Sequence, residues 1–318
     1  MLSRIANNLF WMGRYLERAE HLAQYIKIQY LSSLDAPLAY NKEQALDSIL
    51  YMNGGKTEYD ELYEKLDDDE VLFYTTFDER NQLSIKNCIR MARENARGGR
   101  DELASEAWEA INRLYHYTNN FRASHFPQEK RYEFYQSISD NTYIIKGTLR
   151  TTHLVNPVLA MINVGLHIER SVQICHIILA KLRDIQQTVL ETDQESVSLL
   201  ENYHAGNMLR SAGGFDMSRK YYKTLPNKHN AIEFLVLNKS FPRSISYNLE
   251  RIERNMEVIN DSKKFSKDSA RFKVGRLNAH LRYMTIEEIE QKEIIFLNEL
   301  TQALYDIGQK FDEEYLNF

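Results

Sequence analysis

The sequence predicts an all-α protein, a tandem-duplicated helical bundle with pseudo-twofold related halves. Three observations lead there. Helix breakers are scarce, with 12 Gly and 5 Pro in 318 residues, which leaves long uninterrupted segments. The first thirty residues carry apolar positions at alternating spacings of four and three: Ile5, Leu9, Met12, Leu16, Ala19, Ala23, Ile26 and Tyr30, the seam of a packed helix. The same pattern then returns 152 residues later, as a duplicated unit requires.

The first helix has a second stripe, Trp11, Tyr15, Arg18 and Leu22, about 100° round from the seam. A helix apolar on two faces belongs at the centre of a bundle. Arg18 is thereby drawn into an aromatic setting, whereas Glu17 turns to the other side, near Phe10, Gly13 and His21. Residues 32–70 read as a loop followed by short helices, broken at Pro37, at Gly54-Gly55 and at the acidic run Asp67-Asp68-Asp69-Glu70, a solvated surface or helix start. Ser84 is a candidate N-cap for a helix with Ile85, Ile89, Ala92 and Ala96 on one face. A basic stripe of Arg90, Arg93, Arg97 and Arg100 lies beside that face, interleaved with Glu94 and Asp101. After Gly98-Gly99 comes a helix with Leu103, Trp108, Ile111, Leu114 and Tyr115, then a long one over 128–148.

In the second half, Leu9 maps to Met161, Met12 to Val164, Leu16 to Ile168, Ala23 to Cys175 and Ile26 to Ile178, all apolar. Further on, Phe77-Asp78 through Ser84-Ile85 matches Leu237-Asn238 through Ser244-Ile245 at an offset of 160, and Asn95 maps to Asn255. A last long helix is expected over 285–314. The predicted units are 1–150 and 151–318.

Net charge is −5, which offers no general attraction to nucleic acid or to anionic membrane. No window of eighteen apolar residues is present, so no spanning helix is expected, and Arg14 and Glu17 interrupt any leader-like run. Cys88 and Cys175 fall on apolar helix faces without CxxC spacing, as reduced core thiols of a cytoplasmic protein would. There is no GxSxG, P-loop, GxGxxG or HExxH, and Glu-x-x-His does not occur on paired helices, so neither a metal nor a cofactor is expected.

The distinctive signal is a Glu-Arg pair inside each central helix: Gly13-Arg14-Tyr15-Leu16-Glu17-Arg18-Ala19-Glu20, and Gly165-Leu166-His167-Ile168-Glu169-Arg170-Ser171-Val172. Together with Ala92-Arg93-Glu94-Asn95-Ala96-Arg97, Ser105 to Asn112, and Phe241-Pro242-Arg243-Ser244-Ile245, this resembles the bacterial alpha-E family over the whole chain. The resemblance implies an all-α domain of unassigned activity. It also implies partners, a circularly permuted ATP-grasp protein and a transglutaminase-like protein, and so an accessory role in peptide synthesis or modification. Leu166 and His167 depart from the family pattern, since Arg14 and Tyr15 stand at those places in the first unit.

Neighbours on a helix diverge by about 100°, so Glu17 and Arg18 do not pair with each other. Buried charges need partners. Two pairings offer themselves: Glu17 with Arg170 and Arg18 with Glu169, or Glu17 with the basic stripe and Arg18 with Glu94. Candidate binding residues are Arg14, Glu17, Arg18, Glu169 and Arg170, together with Arg93, Glu94, Asn95 and Arg97. The network is read as fixing helix register, as a ligand or partner site, or as a catalytic site in the cleft between the units, with Glu17 or Glu169 as general acid or base. An assembly scaffold is a further alternative. The segment Lys263, Lys264, Lys267, Arg271, Lys273 and Arg276 offers a basic surface to an acidic partner.

Overall fold

A computed structural model describes residues 3–34, 42–121, 126–191, 194–260 and 266–316. Among them every regular element is helical. The first half holds α1 (Ser3–Leu34), α2 (Lys42–Asn53), α3 (Lys56–Leu62), α4 (Asp68–Thr76), α5 (Ile85–Gly98), α6 (Ser105–Asn120) and α7 (Gln128–Thr152). The second holds α8 (Pro157–Glu191), α9 (Gln194–Ser211), α10 (Phe215–Tyr222), α11 (Lys228–Val236), α12 (Ile245–Ile259), α13 (Ala270–Tyr283) and α14 (Glu293–Tyr315).

Helices α1 and α8 form the centre and pack most extensively on each other. α1 is flanked by α5 and α7, α8 by α12 and α14, and both α2 and α9 touch the two central helices. The seam explains this placement. Leu9, Met12, Leu16, Ala19, Ala23 and Ile26 are all buried, and so are Met161, Val164, Ile168, Cys175 and Ile178; Ile5, at the frayed start of the seam, is only partly covered. One continuous apolar core runs through both halves.

Two glycines set how close the central helices come. A Cβ on Gly13 would lie 2.5 Å from the Ile162 carbonyl oxygen, and one on Gly165 would lie 2.2 Å from that of Phe10. Both distances are far inside contact range, so only hydrogen fits at either position.

The local signals act as read. Ser84 Oγ accepts from the Asn87 amide at 3.3 Å and Ser244 Oγ from that of Tyr247 at 3.1 Å. Asp67 caps α4 by accepting from the amides of Asp69 and Glu70. The thiols of Cys88 and Cys175 are buried and unpaired, and burial pushes both up to about 12. No helix among the described residues is long and apolar enough to cross a membrane.

The final segment differs from expectation. A single helix over 285–314 is replaced by a 3-10 turn, Ile286–Glu288, then a break, then α14. Thr285 and Glu288 close a capping box, and Gln291 adopts φ 64°, a left-handed conformation that ends helical propagation. Ile286 and Ile289 are buried as their spacing required; they are held by a turn rather than a helix. The long helix expected over 128–148 continues to Thr152.

Candidate functional site

Glu17 and Arg18 sit mid-way along α1, and Glu169 and Arg170 occupy the matching turn of α8. Each pair is divided between two partners on the opposite helix. Arg170 donates to Glu17 from Nε at 2.5 Å and from Nη2 at 3.0 Å. Arg18 donates to Glu169 from Nε at 2.6 Å and from Nη2 at 3.0 Å. Both are two-pronged guanidinium–carboxylate contacts, the strongest ion-pair geometry available to side chains. The cross-helix pairing is therefore the one adopted.

A second cation completes each carboxylate. Arg14 Nε donates to Glu169 at 2.8 Å, its guanidinium lying 5.0 Å from the Trp11 ring centre. Lys146, from α7, reaches Glu17 Oε2 at 2.6 Å and also pairs with Glu20. Glu20 is further paired with Arg243, whose Nη2 donates to the Tyr143 hydroxyl at 3.0 Å. One turn along each helix, a neutral group adds a hydrogen bond: His21 lies 3.1 Å from Glu17, and Gln173 donates to Glu169 at 2.9 Å.

The electrostatics follow from this saturation. Glu17, Glu20 and Glu169 are fully buried. Burial alone would raise their pKa values, but the cations outweigh it. Arg170, Lys146 and the His21 hydrogen bond hold Glu17 well below the usual carboxylate range. Arg243 and Lys146 hold Glu20 down to about 2, and Arg18 and Arg14 hold Glu169 to about 2. His21 is lowered by burial, which overrides the attraction of Glu17. Ionised carboxylates engaged in this way have no proton to give at neutral pH and little basicity with which to take one. Cavities of about 750, 640, 490 and 280 Å³ have other walls and include none of these carboxylates.

Match to the Alpha-E family, described as a predicted alpha-helical domain with a conserved ER motif, extends over residues 1–316. The chain belongs to the Alpha-E family. Glu-Arg pairs stand within this match at Glu17-Arg18 of α1 and Glu169-Arg170 of α8. No curated protein and no solved structure matches the chain.

Among the described residues, the α5 candidates are not joined to this ER network. Arg93 donates to Glu94 at 2.6 Å and to Asn112 at 3.0 Å and lies over the Tyr115 ring. Arg97 pairs with Glu94 at 2.6 Å, and Asn95 donates to the Met91 carbonyl. They form a local lattice between α5 and α6, while α5 turns Cys88, Ala92 and Ala96 inward. Arg100 lies beyond the end of α5, in a 3-10 turn. Of the later basic segment, Lys263 and Lys264 lie outside the described residues, and Arg271 pairs with Glu257 at 2.8 Å.

Sequence reasoning did not single out Glu20, Lys146, Gln173 or Tyr143 as members of the network. Arg243 stood within a recognised motif but without an assigned partner. A signal for Glu20 existed, since it lies one turn from Glu17 on the same helix. Among the described residues no group of three or more His, Cys, Asp or Glu is arranged to hold a metal.

Proposed function

We propose that the chain is an accessory helical protein in which the ER pairs lock α1 to α8, presenting a rigid surface to an enzyme partner. One observation carries this reading: both motif carboxylates are buried and already neutralised by two cations each. Removing one partner of such a pair strands a buried charge, at about 3–5 kcal/mol, so the motif is suited to fixing helix register. The units 1–150 and 151–318 are read as duplicates, each supplying the base for the other's acid.

The finer reading comes from what the sequence resemblance implies. The partner is a circularly permuted ATP-grasp protein, with a transglutaminase-like protein in the same system, and the chemistry is peptide synthesis or modification. The two buried unpaired thiols fit a reducing compartment, the cytoplasm.

The test is direct binding of the purified chain to such an ATP-grasp protein by calorimetry. A complex with Kd in the range of about 1–10 μM is expected. Absence of heat at higher concentrations, with both proteins folded, would remove the partner assignment and leave the structural role of the ER pairs standing.

A further inference from the structure

The second half has an open cleft where the first half packs aromatic rings. The buried positions of α7 recur on α14: Tyr135, Ile138, Thr142 and Ile145 stand where Leu297, Leu300, Leu304 and Ile307 do, 162 residues on, and all eight are buried. Buried Ile111 and Thr118 of α6 likewise correspond to buried Val274 and Leu281 of α13. In the first half, aromatic rings pack between α6 and α7. Phe121 and Phe126 pack edge-on against Phe134, with centroids 4.7 and 5.3 Å away, and Tyr117 stacks on it at 5.9 Å.

In the second half, His280 and Met284 take the places of Tyr117 and Phe121, 163 residues on. A cleft of about 750 Å³ opens there between α13 and α14, within the size range of sites that take a peptide side chain or small ligand. Its floor is Leu277, Met284 and Ile307. Lys273, Arg276 and His280 line the α13 wall at spacings of three and four, one stripe of the helix. Arg276 and His280 enter no ion pair among the described residues, and the nearest carboxylate to Lys273 is Asp268, at 3.8 Å. On the opposite rim, Asp306 accepts from Gln302 and Glu288 from the Thr285 amide. The cleft is thus polarised across its width.

We propose that this cleft binds an aromatic side chain presented by an acidic segment of a partner protein. The aromatic ring enters between α13 and α14, where Tyr117 and Phe121 pack against Phe134 in the first half, and the flanking carboxylates lie along Lys273 and Arg276, away from Asp306. The site is distinct from the ER network and holds whichever enzyme the chain accompanies.

Fluorescence anisotropy with a labelled Glu-Asp-Phe-Asp-Glu peptide tests this on the full chain. Saturable binding is expected. It should weaken at least tenfold when the peptide Phe becomes Ala or its acids become Lys, and at least tenfold on Arg276→Glu. His280→Tyr with Met284→Phe, which imitates the first half, should also abolish binding while helical content holds. Should that double variant misfold, the exposed Arg276→Glu change decides alone. No saturable binding to the native chain, or equal binding to Arg276→Glu, overturns the proposal.

Discussion

The two buried motif carboxylates solve one problem with different parts. Glu17 and Glu169 each take a two-pronged arginine from the opposite helix, a second cation, and a neutral hydrogen-bonding group one turn along. At Glu17 the second cation is Lys146 of α7. At Glu169 it is Arg14 of α1. The position on α14 matching Lys146 is Gly308, and Arg14 Nη1 lies 3.6 Å from where its Cβ would be. The missing side chain on α14 makes the room that Arg14 fills. This accounts for Leu166: the second half needs no counterpart of Arg14, because Lys146 serves the carboxylate at that end. Charge balance at a buried acid is fixed, whereas the element that supplies it is free to change.

The largest test of this comparison removes the acids one at a time. Glu169→Ala strands both Arg14 and Arg18 and should destabilise by about 3–5 kcal/mol in urea unfolding. Glu17→Ala should cost less, because Glu20 remains to hold Lys146. Equal losses would show that Glu20 gives Lys146 no independent support.

Next in size is the contact that brings the ends together. Gly165→Ala places a methyl against the Phe10 carbonyl and should cost about 1–3 kcal/mol, despite the better helix propensity of alanine. A variant as stable as the parent would mean that α1 and α8 can separate without loss.

Smaller still is a difference in acid sensitivity. The native pKa of His21 is lowered by burial, so it stays neutral in the fold while the unfolded chain takes a proton below about pH 6.5. Its contribution is therefore fully present above that pH and declines as pH falls towards the depressed native value, by up to about 1.4 kcal/mol per pH unit. Gln173 has no such response. His21→Gln should flatten the stability profile between pH 6.5 and 5, as followed by thermal melts; an unchanged slope would assign acid sensitivity to other histidines.

The smallest effect belongs to α5. Arg97 is 66% exposed and, among the described residues, paired with Glu94, so Arg97→Ala should change stability by under about 1 kcal/mol. A loss comparable to that of Glu169→Ala would tie α5 to the central network after all.

Much of this was legible before any coordinates. The seam and the cap at Ser84 follow from periodicity and cap chemistry, and the rule that buried charges need partners placed the cross-helix ER pairing among two options. Lys146 and Arg243 were not assigned to the network, because they come from 126 and 223 residues away from Glu20, and no local pattern encodes such convergence. The break before α14 was missed for a different reason. Thr285 to Lys292 has helix-like apolar spacing, and the left-handed Gln291 leaves no glycine to mark it. The capping box of Thr285 and Glu288 was the readable sign. The α5 candidates were grouped with the ER pair by motif, but their charges are satisfied locally.

The exchange of charges between α1 and α8 also bears on the order of assembly. Leu154 and Val155, in the link between the halves, are 79% and 86% exposed, so the chain could be cut there with little direct loss of packing. Each fragment would nevertheless hold an acid whose arginine lies on the other piece. Neither is electrically complete, and the two would fold by finding one another.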